Sequence, residues 1–118
     1  MKKLVLAAMA ALTLGAFAAP ALAATETVTG KVVSLSCYFQ TNKNAGVREE
    51  VCFNATVKYE GNPVGIVTAD GKVYQLAGGV LGVNNAKMVP YGGKTVTVTG
   101  EVWEKAGMMM LKADDLKQ

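Results

Sequence analysis

The sequence predicts a small, mainly β domain: a five-stranded barrel with one or two short helices. Three features favour this fold. β-branched residues alternate with small or polar residues in several segments, Asp-Gly separates two apolar runs, and glycine recurs at the same position of two similar segments. The chain has 118 residues, which is enough for one domain preceded by a short leader.

The first 23 residues have the pattern of a secretory signal peptide. Two lysines precede an apolar run, and Ala21-Leu22-Ala23 has small residues at the alternate positions that signal peptidase recognises. The run is shorter than the roughly 20 residues that span a bilayer, so we expect no membrane span once the signal is cleaved after Ala23. The predicted mature domain is therefore residues 24–118, exported to the bacterial periplasm.

A repeated Thr-Val-Thr-Gly sequence predicts the first and fourth strands. It opens the segments 27–33 and 97–103, in which β-branched residues alternate as in a half-buried strand. The glycine that both segments share indicates a strand that bends around a small barrel. In the first segment the adjacent Val32 and Val33 change the apolar phase, which predicts a bulge.

Turn residues separate the other strands. Asp70-Gly71 accepts the positive φ angles of a tight hairpin turn between two apolar runs. Near the end of the chain, Lys105-Ala106-Gly107 provides a second turn that reverses the direction of the backbone. The five predicted strands are 27–38, 64–69, 72–76, 94–104 and 107–113.

The segment 48–60 is compatible with two structures. Its apolar residues alternate as in a strand, yet four residues also recur at helical spacing. We favour a helix because Gly61 and Pro63 follow the segment and would end one. Residues 84–89 predict a short helical turn. Five strands, a long first strand with glycine and a helix before the fourth strand describe an OB-like barrel.

Three stretches of the chain carry a family resemblance. They are Gly-x-Val-Val-x-x-x-Cys-Tyr at 30–38, Pro-Val-Gly at 63–65 and Val-Thr-Val-Thr-Gly-Glu-Val at 96–102. In them the chain resembles a group of small exported bacterial OB-fold-like proteins, mostly uncharacterised, which implies that fold for most of the mature domain. Such proteins often carry a histidine and a second cysteine before Pro-Val-Gly. This chain has Cys52 but no histidine, so a metal or haem role is not carried over.

The composition excludes several kinds of chemistry. The chain has no histidine, which excludes Ser-His-Asp and Cys-His catalysis as well as His-ligated zinc or haem. Its carboxylate pairs, Glu49-Glu50 and Asp114-Asp115, are sequence neighbours that point to different sides, unlike a general acid and base. The mature domain would have ten basic and nine acidic residues, too small a net charge to attract nucleic acid. We expect no enzyme, no cofactor and no nucleic-acid partner.

The two cysteines, Cys37 and Cys52, predict a structural disulfide, because disulfides form and persist in exported proteins. Such a bond would close a loop of about 15 residues and stabilise the fold by roughly 3 kcal/mol. A redox or metal-binding pair is the other interpretation, but redox dithiols usually have Cys-x-x-Cys spacing, and these cysteines lie far apart.

Candidate binding residues follow from the way OB folds bind ligands, on the face of strands 2 and 3 and with the adjoining loops. This rule selects Tyr38, Phe39 and Arg48 in the first long loop, and Tyr74 in the third strand. Trp103 is expected to point outward from the fourth strand. It would serve there as a stacking platform or partner anchor, or would cover one end of the barrel.

Consecutive methionines at the end of the chain suggest copper, because thioethers are soft ligands for Cu(I). On a strand, Met108 and Met110 share one face and Met109 has the other, while Met88 would add a third ligand only if the fold brings it near. The competing interpretation is that these methionines fill the core. The sequence alone leaves both open.

The function that these features favour is a non-enzymatic periplasmic binding or accessory module with one disulfide. Its expected partner is a small ligand or a periplasmic protein that the sequence does not identify. Copper or haem handling with Met, Cys or Tyr ligands is one alternative, and thiol redox chemistry at Cys37 and Cys52 is a second.

Overall fold

The computed structural model of the protein describes residues 23–41 and 46–118. The predicted signal peptide, apart from Ala23, lies outside the described residues, as do residues 42–45. Within the described part of the chain, no helix is long and apolar enough to cross a membrane.

Five strands close into a barrel in the order β1-β2-β3-β5-β4. All neighbouring strands are antiparallel except β3 and β5, which are parallel. This is the predicted small, mainly β, OB-like barrel. The strands are β1 (Ala24–Ser34), β2 (Val64–Val67), β3 (Val73–Ala77), β4 (Thr95–Lys105) and β5 (Met108–Lys112).

The repeated Thr-Val-Thr-Gly sequence is explained by the pairing of β1 with β4. The two copies lie antiparallel and face each other, with Val28 opposite Val98 inside the barrel. On the outer face, Thr27 Oγ1 and Thr99 Oγ1 are hydrogen-bonded at 2.8 Å, and the next threonine pair along the strands makes the same contact at 2.9 Å. The repeat therefore marks two strands that pair with each other. Their valines pack inside the barrel, and their threonines form hydrogen bonds on its outer face.

The predicted bulge at Val32 and Val33 is wrong. β1 pairs without interruption, first with β4 up to Lys31 and then with β2 from Lys31 to Ser34. Val32, Val33 and Ser34 are all buried because this end of the strand is covered on both faces, and helices contact it. The change in apolar phase reflects this double burial, with no extra residue in the strand.

The first strand begins three residues earlier than predicted and ends four residues earlier, at Ser34, because residues 35–38 are helical. α1 (Leu35–Thr41) begins directly after Ser34, whose hydroxyl accepts a weak 3.5 Å hydrogen bond from the Cys37 amide. Ser34 therefore occupies the N-cap position of α1, where serine is one of the preferred residue types.

The favoured helix at 48–60 is confirmed. It comprises α2 (Gly46–Phe53) and a π-helical turn, Asn54–Lys58. Phe53 and Val57 are fully buried and belong to the core. The Phe53 ring lies where a side chain on Gly92 would be, with an ideal Cβ only 2.5 Å from the ring, so the helix packs closely against the segment before β4.

The predicted turn at 84–89 lies in a 3₁₀ segment, Val83–Tyr91, which follows a shorter one, Gly79–Leu81. Asn84 and Asn85 have positive φ angles of 53° and 62° and interrupt the helical geometry, which asparagine tolerates better than most residues. Buried side chains from every strand, from the π-helical turn and from both 3₁₀ segments form one core.

Candidate functional site

A disulfide between Cys37 and Cys52 joins α1 to α2, as predicted. Polar side chains surround it: Thr56 Oγ1 donates to the Cys52 carbonyl at 2.8 Å and lies 2.6 Å from Ser34 Oγ. Ser34 is 1% exposed, so its hydroxyl needs this partner. The bond and its hydrogen bonds hold α1 in place beside the end of β1.

An outward-facing row of side chains crosses three strands of the barrel. Trp103 on β4 faces Met110 on β5, and Met110 faces Gln75 on β3. These residues lie on the outer face because their sequence neighbours, Val102 and Leu111, are buried. Met108, two positions before Met110 on β5, also lies on the outer face and is exposed. The exposed fractions are 43% for Trp103, 38% for Met110 and 67% for Met108.

α1 covers the outer face of the barrel beside this row. Leu35 lies over Gly65 on β2, where an ideal Cβ would be 2.4 Å from the Leu35 Cδ2, so a larger residue at position 65 would displace the Leu35 side chain. Phe39 follows one helical turn after Leu35 and therefore lies on the same side of α1. Its ring is 71% exposed and makes an edge contact with the Tyr38 ring, with 5.9 Å between the centroids.

Two adjoining concave surfaces lie between α1 and the β4–β5 hairpin, and we call them together the outer groove. One, of about 390 Å³, is lined by Leu35 and Phe39, and the other, of about 760 Å³, by Trp103 and Met110. Both are also lined by Gln75, Met108 and Met109. The outer groove is mainly apolar, with Lys72, Glu104 and Lys105 also among its lining residues.

The structure brings some of the predicted binding residues together and separates others. Phe39 and Trp103 both line the outer groove, and Tyr38, half-buried, contacts Phe39. Tyr74 is 4% exposed and belongs to the barrel core, so its ring does not reach a surface. The Arg48 side chain lies outside the described part of the structure.

The three methionines considered as metal ligands do not lie together. Met88 is fully buried in the core, whereas Met108 and Met110 are on the outer face of β5. Met109 is half-buried and packs against the core. Among the described residues, no group of three or more His, Cys, Asp or Glu side chains could hold a metal ion.

Among the described residues, one carboxyl group has a shifted pKa, at the turn between β2 and β3. The Thr68 hydroxyl donates a hydrogen bond to the Asp70 carboxylate and lowers the pKa of Asp70 below its ordinary value of 3.8. The Lys72 amide also donates to Thr68 Oγ1, at 3.0 Å. These bonds close the hairpin turn, so Asp70 has a structural role.

Sequence reasoning missed three residues that shape the outer groove: Leu35, Gly65 and Gln75. Gln75 was within reach, since alternation from the buried Tyr74 and Leu76 places it on the outer face of β3. Its contact with Met110 depends on the parallel pairing of β3 with β5. That pairing joins strands distant in sequence and leaves no local pattern.

The fold and this surface define a class of protein: a small OB-like barrel with a disulfide-linked helical cover and an apolar groove on its outer face. In comparisons with known proteins, no family model, no curated protein and no solved structure matches the chain.

Proposed function

We propose that the protein is an exported, non-enzymatic binding module and that the outer groove is its binding surface. The observation that carries the proposal is the exposure of Phe39, Trp103 and Met108 around the two adjoining concave surfaces of the outer groove. A large apolar side chain that remains in water contributes little burial free energy to the fold. An exposed apolar patch around a concave surface is typical of an interaction site. Tryptophan is also the residue type that most often anchors a partner.

Two features support a role without catalysis. The chain has no histidine, and within the described residues the one carboxyl group with a shifted pKa, Asp70, closes a turn. Cys37 is 8% exposed, so its sulfur gives an attacking thiolate little access, which fits a structural role, while Cys52 is half-buried.

The boundary of the barrel supports export. β1 begins at Ala24, directly after the predicted cleavage position, and Ala24 already pairs with Val102 on β4. Cleavage after Ala23 would leave the whole barrel intact. Intact mass spectrometry of periplasmic protein should give a chain that begins at Ala24 and lacks one pair of thiol hydrogens. A chain that retains Met1 would contradict export.

Native mass spectrometry of tagged protein from the periplasm tests the groove. The variant Phe39→Ser removes an exposed ring from the outer groove, and Tyr59→Ser removes an equally exposed ring, 77% accessible, from a position that lines neither concave surface. We expect an additional mass, from a small molecule or a protein, on the wild type and on Tyr59→Ser but not on Phe39→Ser. Bare chains in all three samples, or the same additional mass on Phe39→Ser, would refute the groove as the binding surface.

A further inference from the structure

We propose that Trp103, Met108 and Met110 form a binding site for a soft monovalent metal cation, Cu(I) or Ag(I), on the outer face of the β4–β5 hairpin. This inference rests on the proposed function, because it names a ligand for one part of the outer groove.

The strand geometry brings two thioethers to one side of the barrel. Met108 and Met110 alternate with the inward-facing Met109, so their side chains leave the same face of β5. Their Cα atoms are separated by two strand residues, roughly 7 Å. Methionine has three rotatable side-chain bonds, which allows two sulfur atoms at this spacing to converge on one ion.

The indole ring borders the same position. Trp103 is directly opposite Met110 in the β4–β5 ladder, and opposite residues on antiparallel strands have Cβ atoms about 4.5–5.5 Å apart. An ion held by the Met110 sulfur would therefore be within reach of the indole face. Tryptophan is the best of the aromatic side chains for attracting a cation in this way.

The donor set selects the kind of metal. Thioether sulfur is soft and uncharged, and it prefers Cu(I) and similar ions over Mg²⁺ or Ca²⁺, which require oxygen ligands. Thioethers have no proton to lose, so the site would bind over a wide pH range. The chain's two cysteines are joined in the disulfide, so no thiolate competes for the ion.

The charged neighbours of the site allow a cation to be told from a neutral ligand. Lys105 is opposite Met108 in the ladder and is the cationic residue paired across from the site. Lys72 and Glu104 also line the outer groove. A nearby ammonium group weakens the binding of a metal cation, although solvent screening limits the effect. Lys105→Gln should therefore strengthen metal binding.

Titration with Ag(I) tests the site, because Ag(I) is a soft cation that, unlike Cu(I), is not oxidised by air. Trp103 is the chain's one tryptophan, so its fluorescence reports directly on binding, and native mass spectrometry gives the stoichiometry. We expect one Ag(I) per chain with quenching of Trp103. Met108→Leu and Met110→Leu should each weaken binding at least about tenfold, because the loss of even a residue that only supports a metal ligand typically costs that much. The control Met88→Leu, which changes a methionine fully buried in the core and lining neither concave surface, should bind Ag(I) as the wild type does.

Failure of this site can be separated from failure of the proposed function. Leucine has nearly the size and apolarity of methionine, so Met108→Leu and Met110→Leu should keep an apolar partner while they lose Ag(I). Phe39→Ser should lose the apolar partner and keep Ag(I) binding. The metal site would be overturned if the wild type did not bind Ag(I). It would also be overturned if the double variant Met108→Leu/Met110→Leu bound Ag(I) as the wild type does. The groove would still stand if Phe39→Ser loses its partner.

Discussion

At the scale of single residues, the two glycines of the repeated sequence have the clearest physical role. An ideal Cβ on Gly100 would lie 2.1 Å from the Lys112 carbonyl oxygen, and one on Gly30 would lie 2.5 Å from the Val67 carbonyl oxygen. Both collisions are with the backbone of a neighbouring strand, which has little freedom to move. Glycine at these positions lets the strands of a small barrel approach closely.

Gly100→Ala should therefore lower the free energy of unfolding by about 1–3 kcal/mol, the usual cost of overpacking. The matched control is Gly79→Ala, because the nearest atom to a Cβ there is the Asp114 Oδ1 at an ordinary 3.4 Å. Urea denaturation of both variants measures the difference. Equal stability of the two variants would contradict the close approach of β4 and β5.

At the scale of elements, the two helices that lie between β1 and β2, α1 and α2, depend on the disulfide that joins them. α1 has seven residues, too few to be stable alone in water. The contacts that hold it include the bond from Cys37 to Cys52, the cap at Ser34 and the packing of Leu35 on Gly65. Because Phe39 is on this helix, the element also determines one side of the outer groove.

The double variant Cys37→Ser/Cys52→Ser should lose about 3 kcal/mol of stability, the value for a closed loop of 15 residues. Hydrogen exchange should locate the change: amides of α1 lose protection, while those of β4 and β5 keep it. Chemical reduction of the wild type is the control and should have the same effect. Melting that is unchanged in the variant would show that the cover is stable without the bond.

At the scale of the whole molecule, closure of the barrel separates an inner apolar set of side chains from an outer functional set. β5 illustrates the division, since Leu111 is fully buried between β3 and β4 while Met110, its neighbour in sequence, lies on the outer face. The same closure places β3 beside β5 and so positions Gln75 next to Met110.

Leu111→Ala should lower the free energy of unfolding by about 2–5 kcal/mol, because it leaves a cavity in the centre of the barrel. Met110→Ala is the matched control from the other face of β5, and its effect on stability should be much smaller, since little core packing is lost. Thermal melting followed by circular dichroism compares the two. A larger loss for Met110→Ala would reverse the assignment of inner and outer faces.

The sequence by itself determined the features that depend on local pattern. Alternation located the five strands and placed Met108 and Met110 on one face. The repeated Thr-Val-Thr-Gly marked the first and fourth strands, and the cysteine pair predicted the disulfide. These succeed because a period of two residues and a turn dipeptide act over a few neighbouring residues.

Only the tertiary structure decided which side chains meet. Tyr74 and Met88 became core residues. The end of the predicted first strand became α1, which begins after the cap at Ser34 and is joined to α2 by the disulfide. The outer groove arises from contacts between α1, β3, β4 and β5, which are far apart in sequence. Barrel closure sets these neighbours, and closure is a property of the whole chain that no single segment encodes.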